Sequence, residues 1–151
     1  MVVNGEQKRR SLYIQVRRSR PVGMLQAFDA PVMETNCEKR SNSTVATQSL
    51  MLLNGEFIRQ QASHFAATIR KQAPAKDTKT LSASCVQALQ RAFCRKPSSE
   101  ERRIIAGFVS SQLKHVRQHP QALPKGVSAE KQVLTNFCQV LLSSNEFLYL
   151  D

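Results

Sequence analysis

The strongest helix signal in the chain lies at residues 98–117, which read SSEERRIIAGFVSSQLKHVR. Ser98 and Glu101 have the spacing of a capping box, in which each side chain accepts a hydrogen bond from a free N–H group at the helix start. Apolar residues then recur every three or four positions, and Pro120 follows. The pattern predicts an amphipathic helix from Ser98 to about Arg117. Two overlapping faces could point inward: Ile105, Phe108, Gln112 and Val116, or Ile104, Val109 and Leu113.

The same periodicity and similar boundary residues predict four further helices. The first is capped by Thr44 and runs to Leu53, before the C-cap signature Asn54-Gly55. The second has the stripe Ile58, Ala62, Phe65 and Ile69 and is closed by Pro74. The third has the stripe Leu81, Cys85, Ala88, Leu89 and Ala92 and is stopped by Pro97. The last is capped by Ser128, has the stripe Leu134, Phe137, Cys138 and Leu141, and ends near Asn145.

The front of the chain follows a different pattern. Leu12, Ile14 and Val16 alternate with more polar neighbours, a period of two that is typical of a short strand with one buried face. No second convincing alternating run exists in the sequence, and a lone strand cannot satisfy its own backbone groups. Either the segment packs as an irregular arm, or its pairing partner lies in upstream sequence that this chain does not contain.

We therefore predict a mainly α fold with about five helices in one module. The module spans residues 44–151, with linkers near 72–80 and 118–128. Residues 1–43 form an irregular, partly extended basic arm, which packs on or is completed by upstream sequence.

The chain is strongly basic, with 22 Lys and Arg residues against 11 Asp and Glu residues and a formal charge of +11. Many of the cations fall in the last turns of predicted helices, where the helix dipole favours them. The cluster in residues 1–20, with six positive residues and one negative, has no such explanation. The predicted contacts to an anion or to another domain are therefore Arg9, Arg10, Arg17, Arg18 and Arg20.

Such a cluster could bind phosphate, an anionic polysaccharide or an acidic neighbouring domain. Nucleic acid is a weaker alternative, because Tyr13 is the only aromatic residue inside the basic stretch and the chain has no Trp to stack on bases. No helix-turn-helix or zinc-finger spacing supports it either.

Metal, haem and catalytic signals are weak. His115 and His119 could share a helix face, but no Glu or Cys completes a metal site nearby. Asp29 lies between apolar neighbours and is interpreted as the structural partner of a nearby arginine, so no catalytic residue is assigned. The sequence contains no CxxCH motif for covalent haem and no CxxC motif for zinc.

The four cysteines are Cys37, Cys85, Cys94 and Cys138. If residues 80–95 form one helix, Cys85 and Cys94 lie about 13 Å apart, too far for a disulfide. Two full pairings then remain, 37–85 with 94–138 or 37–94 with 85–138. The preferred interpretation is free, partly buried thiols that act as small apolar side chains.

The sequence carries no targeting or membrane signal that we recognise. Its start has no apolar core of a secretory signal peptide. Its longest uncharged stretches, Ser41–Gly55 and Gln132–Asn145, are too short to cross a bilayer.

Several runs resemble a planctomycete-type domain of unknown function. The longest are RRSLYIQVRR at residues 9–18, STVATQSLMLLN at 43–54 and SNEFLYLD at 144–151, with FDAP at 28–31 and NCEKR at 36–40 between them. Where the family tends to have Gly before an Arg-x-Pro turn, this chain has Cys94, and Ser143 stands where Asn is usual.

The resemblance implies that the chain is the C-terminal domain of a large exported protein that often carries a cytochrome-c-like domain. Any haem would then belong to an upstream domain, and the upstream domains would be partners. The location implied is extracytoplasmic, in the periplasm or at the cell surface. The family brings no catalytic residues to carry over.

We therefore expect a non-catalytic module with a structural role or a role in docking an anionic ligand or domain. The alternatives are part of an enzyme that acts on polysaccharide or in haem-linked redox chemistry, and a basic nucleic-acid-binding domain.

Overall fold

The computed structural model describes residues 45–72 and 77–148, together with Tyr13 and Phe28. Within these ranges all regular secondary structure is helical, as predicted. The elements are α1 (Val45–Asn54), α2 (Glu56–Gln72), α3 (Thr78–Phe93), α4 (Ser99–Gln118), a 3-10 turn (Pro120–Ala122), α5 (Ala129–Leu142) and α6 (Asn145–Leu148). The prediction of a mainly α fold with about five helices is therefore confirmed.

The chain divides into two compact units, Met1–Gln48 and Ser49–Asp151. The strand predicted around residues 12–16 and nearly all of the predicted basic arm lie outside the described residues. The boundary placed after residue 43 stays a prediction. In the first unit, Tyr13 is exposed and Phe28 is half-buried. The second unit contains α2 to α6 and carries the core described below.

Side chains cap the starts of three helices. At α4, the backbone N–H of Glu101 donates to Ser98 Oγ at 3.2 Å and that of Ser98 donates to Glu101 Oε2 at 2.6 Å, so the predicted capping box is confirmed. Ser128 caps α5 through a 3.3 Å bond from Lys131 N–H, also as predicted. Each such cap contributes about 1 kcal/mol.

The third cap corrects the sequence prediction. Asp77 forms a capping box with Thr80, whose backbone N–H donates to Asp77 Oδ1 at 2.8 Å. Helix α3 therefore begins at Thr78, inside the segment predicted as a linker over residues 72–80. The pattern was missed because Thr80 replaces the Glu or Gln that usually marks the third position of a capping box.

Gly55 separates α1 from α2, as predicted. The reason differs from the prediction, because Gly55 does not adopt the left-handed conformation of a glycine C-cap. Its φ is not positive; a Cβ at this position would lie 2.9 Å from the carbonyl oxygen of Met51. The left-handed C-cap lies instead at Cys94, with φ 53° and ψ 25° at the end of α3. Among the described residues, Cys94 is the one non-glycine with positive φ.

Helix α5 packs against α2, α3 and α4 and so lies at the centre of the module. Its inward face is Val133, Leu134, Phe137, Cys138 and Leu141. The Phe137 ring meets that of Phe108 on α4 at a centroid distance of 5.5 Å. Full burial of one such aliphatic or aromatic side chain contributes about 1.5–3 kcal/mol, so this face contributes substantially to stability.

The inward face of α4 combines the two predicted alternatives. Its buried residues are Ile105, Val109, Leu113 and Val116. Phe108 and Gln112 are half-buried, and Ile104 is exposed. The last predicted helix ends at Leu142 rather than near Asn145, which instead begins α6. In the described part of the chain, no helix is both long and apolar enough to cross a membrane.

Candidate docking surface

All six carboxylates in the described ranges are held by neighbouring groups. Four of them form ion pairs: Glu101 and Glu146 with Arg95, Glu100 with Arg103, and Glu130 with Arg117. Glu56 accepts a hydrogen bond from Gln60, and Asp77 caps α3. Four of these six negative charges are therefore paired with a described arginine, and the other two are held by neutral groups.

Most of the positive charge is not compensated. Residues 45–72 and 77–148 contain 13 Lys and Arg residues, and only Arg95, Arg103 and Arg117 pair with a described carboxylate. The ten others are Arg59, Arg70, Lys71, Lys79, Arg91, Lys96, Arg102, Lys114, Lys125 and Lys131. Arg91 donates to the neutral side chain of Gln72, which leaves its charge unbalanced. The module therefore presents a strongly positive surface.

Arg95 is the cation most firmly held. Its guanidinium donates to Glu101 at 2.9 and 2.6 Å and to Glu146 at 2.6 and 2.9 Å. It also lies 5.6 Å from the ring centroid of Phe93. Sequence reasoning had explained Arg95 only by the dipole of α3. The structure instead places it between two carboxylates, so it is not available to a partner.

These contacts shift the pKa of every member of the cluster. The hydrogen bonds from Arg95, with that from the Ser98 backbone, lower the pKa of Glu101 to about 2. The hydrogen bonds from Arg95 also lower the pKa of Glu146, although the neighbouring charge of Glu101 opposes this. The two carboxylates in turn raise the pKa of Arg95 above its ordinary value. The cluster is fully ionised at neutral pH.

A group of exposed apolar side chains lies beside the junction of α1 and α2. Leu50, Leu53 and Phe57 are 59%, 43% and 48% exposed. Helix α1 contains no charged residue, and its C-terminus is fixed by a 2.6 Å hydrogen bond from Gln139 Nε2 to the carbonyl oxygen of Leu53. The apolar surface is therefore presented by a fixed piece of backbone. Large exposed apolar side chains that cluster are typical of contact surfaces.

Two of the three cysteines in the described ranges lie in the core. Cys85 and Cys138 are buried, and burial raises the pKa of both thiols to about 12, so neither is a thiolate at neutral pH. Cys94 is exposed. All three are free, which confirms the predicted state for them, whereas Cys37 lies outside the described residues.

His115 on α4 and His119, which caps its C-terminus, are close but form no larger ligand set among the described residues. The rings of His115 and His119 lie 4.6 Å apart, and His119 Nδ1 is 3.0 Å from the carbonyl oxygen of His115. Within the described residues, no three His, Cys, Asp or Glu side chains are grouped so that they could hold a metal ion. His64 on α2 is exposed.

The predicted contact residues Arg9, Arg10, Arg17, Arg18 and Arg20 lie outside the described residues, as does Asp29. Their roles therefore stay predictions. The unpaired cations of the helical module were missed from the sequence because their positions at helix ends were attributed to the helix dipole. A helix dipole contributes only a few tenths of a kcal/mol to such a cation and does not neutralise its charge. The sequence did contain a signal for these unpaired cations, since few carboxylates follow residue 44.

The fold and surface define a class: in the described ranges, an all-helical module with a strongly positive surface and no group of side chains that could hold a metal ion. The family model PSD1, protein of unknown function (DUF1553), matches residues 2–109. This match covers more than half of the 151 residues, and the chain belongs to that family. No curated protein and no solved structure is significantly similar to it. The match ends within α4, although α5 completes the core.

Proposed function

We propose that this chain is a non-catalytic helical module of a larger, exported multidomain protein, and that it docks onto an acidic surface of an upstream domain of that protein. The observation that carries the proposal is a difference between the two kinds of charge: every described carboxylate is engaged, while ten cations form no ion pair with a described carboxylate. A surface of this kind is complementary to an acidic partner.

Membership of the DUF1553 family is compatible with a module that has no catalytic role of its own. The larger parent protein and its extracytoplasmic location are supported by the resemblance of the terminal sequence runs and are part of the proposal. The basic cluster of residues 9–20 would add to the positive surface of the helical module. Any haem would be bound by an upstream domain.

The energetics require many contacts rather than a few strong ones. An exposed ion pair contributes only about 0.2–1 kcal/mol, and physiological salt screens charges beyond about 8 Å. Docking would therefore depend on several cations together. Burial of Leu50, Leu53 and Phe57 would add a contribution that salt does not weaken.

The test measures binding of the chain to the upstream region of its parent, expressed separately, over a series of salt concentrations. We expect affinity to fall steeply with salt and to weaken in the double variant Arg17→Gln/Arg18→Gln. The matched control is Arg103→Gln/Arg117→Gln, which removes the same charge from two cations that are already paired with Glu100 and Glu130. A complex whose affinity does not change with salt, or the absence of any complex at low salt, would overturn the proposal.

A further inference from the structure

A groove of about 450 Å³ lies where the start of α3 approaches the last turns of α4. It is lined by Thr78, Ser110, Leu113, Lys114, Arg117 and Gln118. Its volume falls within the range of small-ligand sites. We propose that this groove binds an acidic saccharide, one whose sugar units carry a carboxylate or sulfate group. This goes beyond docking to a neighbouring domain and does not depend on it.

Two cations give the groove its preference for an anion. Lys114 forms no ion pair or hydrogen bond with a described residue. Arg117 is held by a single contact to Glu130, at 3.4 Å, and its side chain is 64% exposed. The two residues are three positions apart on α4 and so lie side by side on its surface. Together they can hold one anionic group, with Arg117 turning from Glu130 towards it.

The neutral lining favours a saccharide over a simple anion. The hydroxyl of Thr78 and the amide of Gln118 have no hydrogen-bond partner among the described residues, and both line the groove. Ser110 Oγ donates to the carbonyl oxygen of Ala106 at 2.9 Å and keeps its capacity to accept. Donors and acceptors of this kind match sugar hydroxyl groups. An inorganic anion would need only the two cations.

The apolar floor supports the same ligand class. Leu113 lines the groove although it is only 4% exposed, so it offers a small apolar surface beneath the polar groups. A sugar ring has an apolar C–H face as well as its hydroxyl groups, and it can use both kinds of surface. A strongly charged acidic peptide would leave the neutral groups and the apolar floor unused.

Nearby carboxylates limit how much negative charge the ligand can carry. Asp77 precedes Thr78, and its hydrogen bonds with Thr80 lower its pKa, so it is ionised at neutral pH. Glu130 is ionised as well, since hydrogen bonds lower its pKa. Like charges at short distance repel, which disfavours a densely charged polymer. One anionic group per bound sugar unit fits the groove best.

The test titrates the full chain with a galacturonate hexamer by calorimetry, beside a neutral galactose hexamer and a hexaglutamate peptide. Lys114→Ala should weaken galacturonate binding by about tenfold, the loss of one charge-assisted contact. The matched control Arg102→Ala removes the same charge from an unpaired, exposed position of the same helix and should change affinity by less than about twofold. Both positions are exposed, so both variants should fold.

A third variant separates a saccharide site from general attraction between charges. Gln118→Ala leaves the net charge unchanged and should still weaken galacturonate binding by roughly threefold, because a neutral hydrogen bond is lost. Equal losses in Lys114→Ala and Arg102→Ala would overturn the inference, as would equally tight binding of hexaglutamate. Neither result would alter docking to the upstream region, which is measured with a different partner.

Discussion

Arg95 and Glu146 are 51 positions apart in the sequence and are joined by two hydrogen bonds, Nε to Oε1 at 2.6 Å and Nη2 to Oε2 at 2.9 Å. The same guanidinium binds the carboxylate of Glu101 in the first turn of α4. One side chain at the end of α3 therefore links the starts of α4 and α6. The short helix α6 is held to the module by this contact in addition to its packing.

Replacement of Arg95 by Lys should loosen α6. A Lys ammonium cannot form two parallel pairs of hydrogen bonds, so Arg95→Lys should keep the charge and lose the geometry. We expect faster amide hydrogen exchange at residues 145–148 with little change in α5. Arg103→Lys is the control, because the one described carboxylate with which Arg103 pairs is Glu100 on its own helix. Unchanged exchange in α6 would show that packing alone holds it.

The same cluster predicts a dependence of stability on acidic pH. Glu101 has a pKa of about 2 in the folded chain, below the ordinary value of 4.5. The stabilisation that the ionised Glu101 carboxylate gives to the folded chain is therefore complete above pH 4.5. It is lost as the pH falls towards 2. Glu101→Gln should flatten the decline in stability over this range while keeping the capping box, because Gln can also occupy that position. Urea unfolding between pH 2.5 and 6 measures the decline.

A suitable comparison is Glu100→Gln, which removes a carboxylate from the same turn that is paired only with exposed Arg103. In this variant, stability should decline with falling pH as steeply as it does in the unsubstituted chain. If both variants flatten the curve equally, the cluster around Arg95 is not its source.

Cys94 occupies a backbone conformation that suits glycine. A left-handed conformation costs a non-glycine residue about 1–2 kcal/mol. Cys94→Gly should therefore raise the free energy of unfolding by about 1 kcal/mol, whereas Cys94→Ala, which keeps the Cβ, should leave it within about 0.5 kcal/mol. Urea unfolding of the unsubstituted chain and of the two variants measures these differences in the free energy of unfolding. Equal stability of the Gly and Ala variants would show that a Cβ at position 94 causes no backbone strain.

The thiols should differ sharply in reactivity. Cys94 is exposed, while Cys85 and Cys138 are buried with thiol pKa values of about 12. In a Cys37→Ser background, we expect one thiol to react quickly with Ellman's reagent and two more to react only after unfolding. Two fast thiols in the native chain would show that the core around α5 opens readily.

Two glycines should respond in opposite directions to the same substitution. Gly55→Ala places a Cβ 2.9 Å from the carbonyl oxygen of Met51 and should destabilise the chain by about 1–3 kcal/mol. Gly107→Ala meets nothing within 4 Å on the exposed side of α4 and should stabilise it by about 0.5–1 kcal/mol. Thermal unfolding of both variants gives the comparison, and effects of the same sign would contradict the close approach at Gly55.

Local signals in the sequence predicted the helices well. The Ser98 and Ser128 caps and the break at Gly55 depend on neighbours within four residues, and the structure places helix boundaries at each of them. Choosing between the two faces of α4 was not possible, because the burial of Ile105 and Val109 depends on how helices pack rather than on the period alone.

Long-range relationships could not be predicted in the same way. The contact of Arg95 with Glu146 joins two positions whose local sequences give no sign of each other. The groove at Lys114 likewise requires the start of α3 to lie beside the end of α4. The helix-end position of Lys114 suggested an adequate local explanation, and only the three-dimensional arrangement showed that no described carboxylate pairs with it.

The central position of α5 has a consequence for how the protein is made. Helices α2, α3 and α4 are complete once residue 118 has been synthesised, but the helix that covers their inner faces is complete only at residue 142. At the usual rate of translation, this interval lasts about one to five seconds. During that time the nascent chain carries unburied apolar faces.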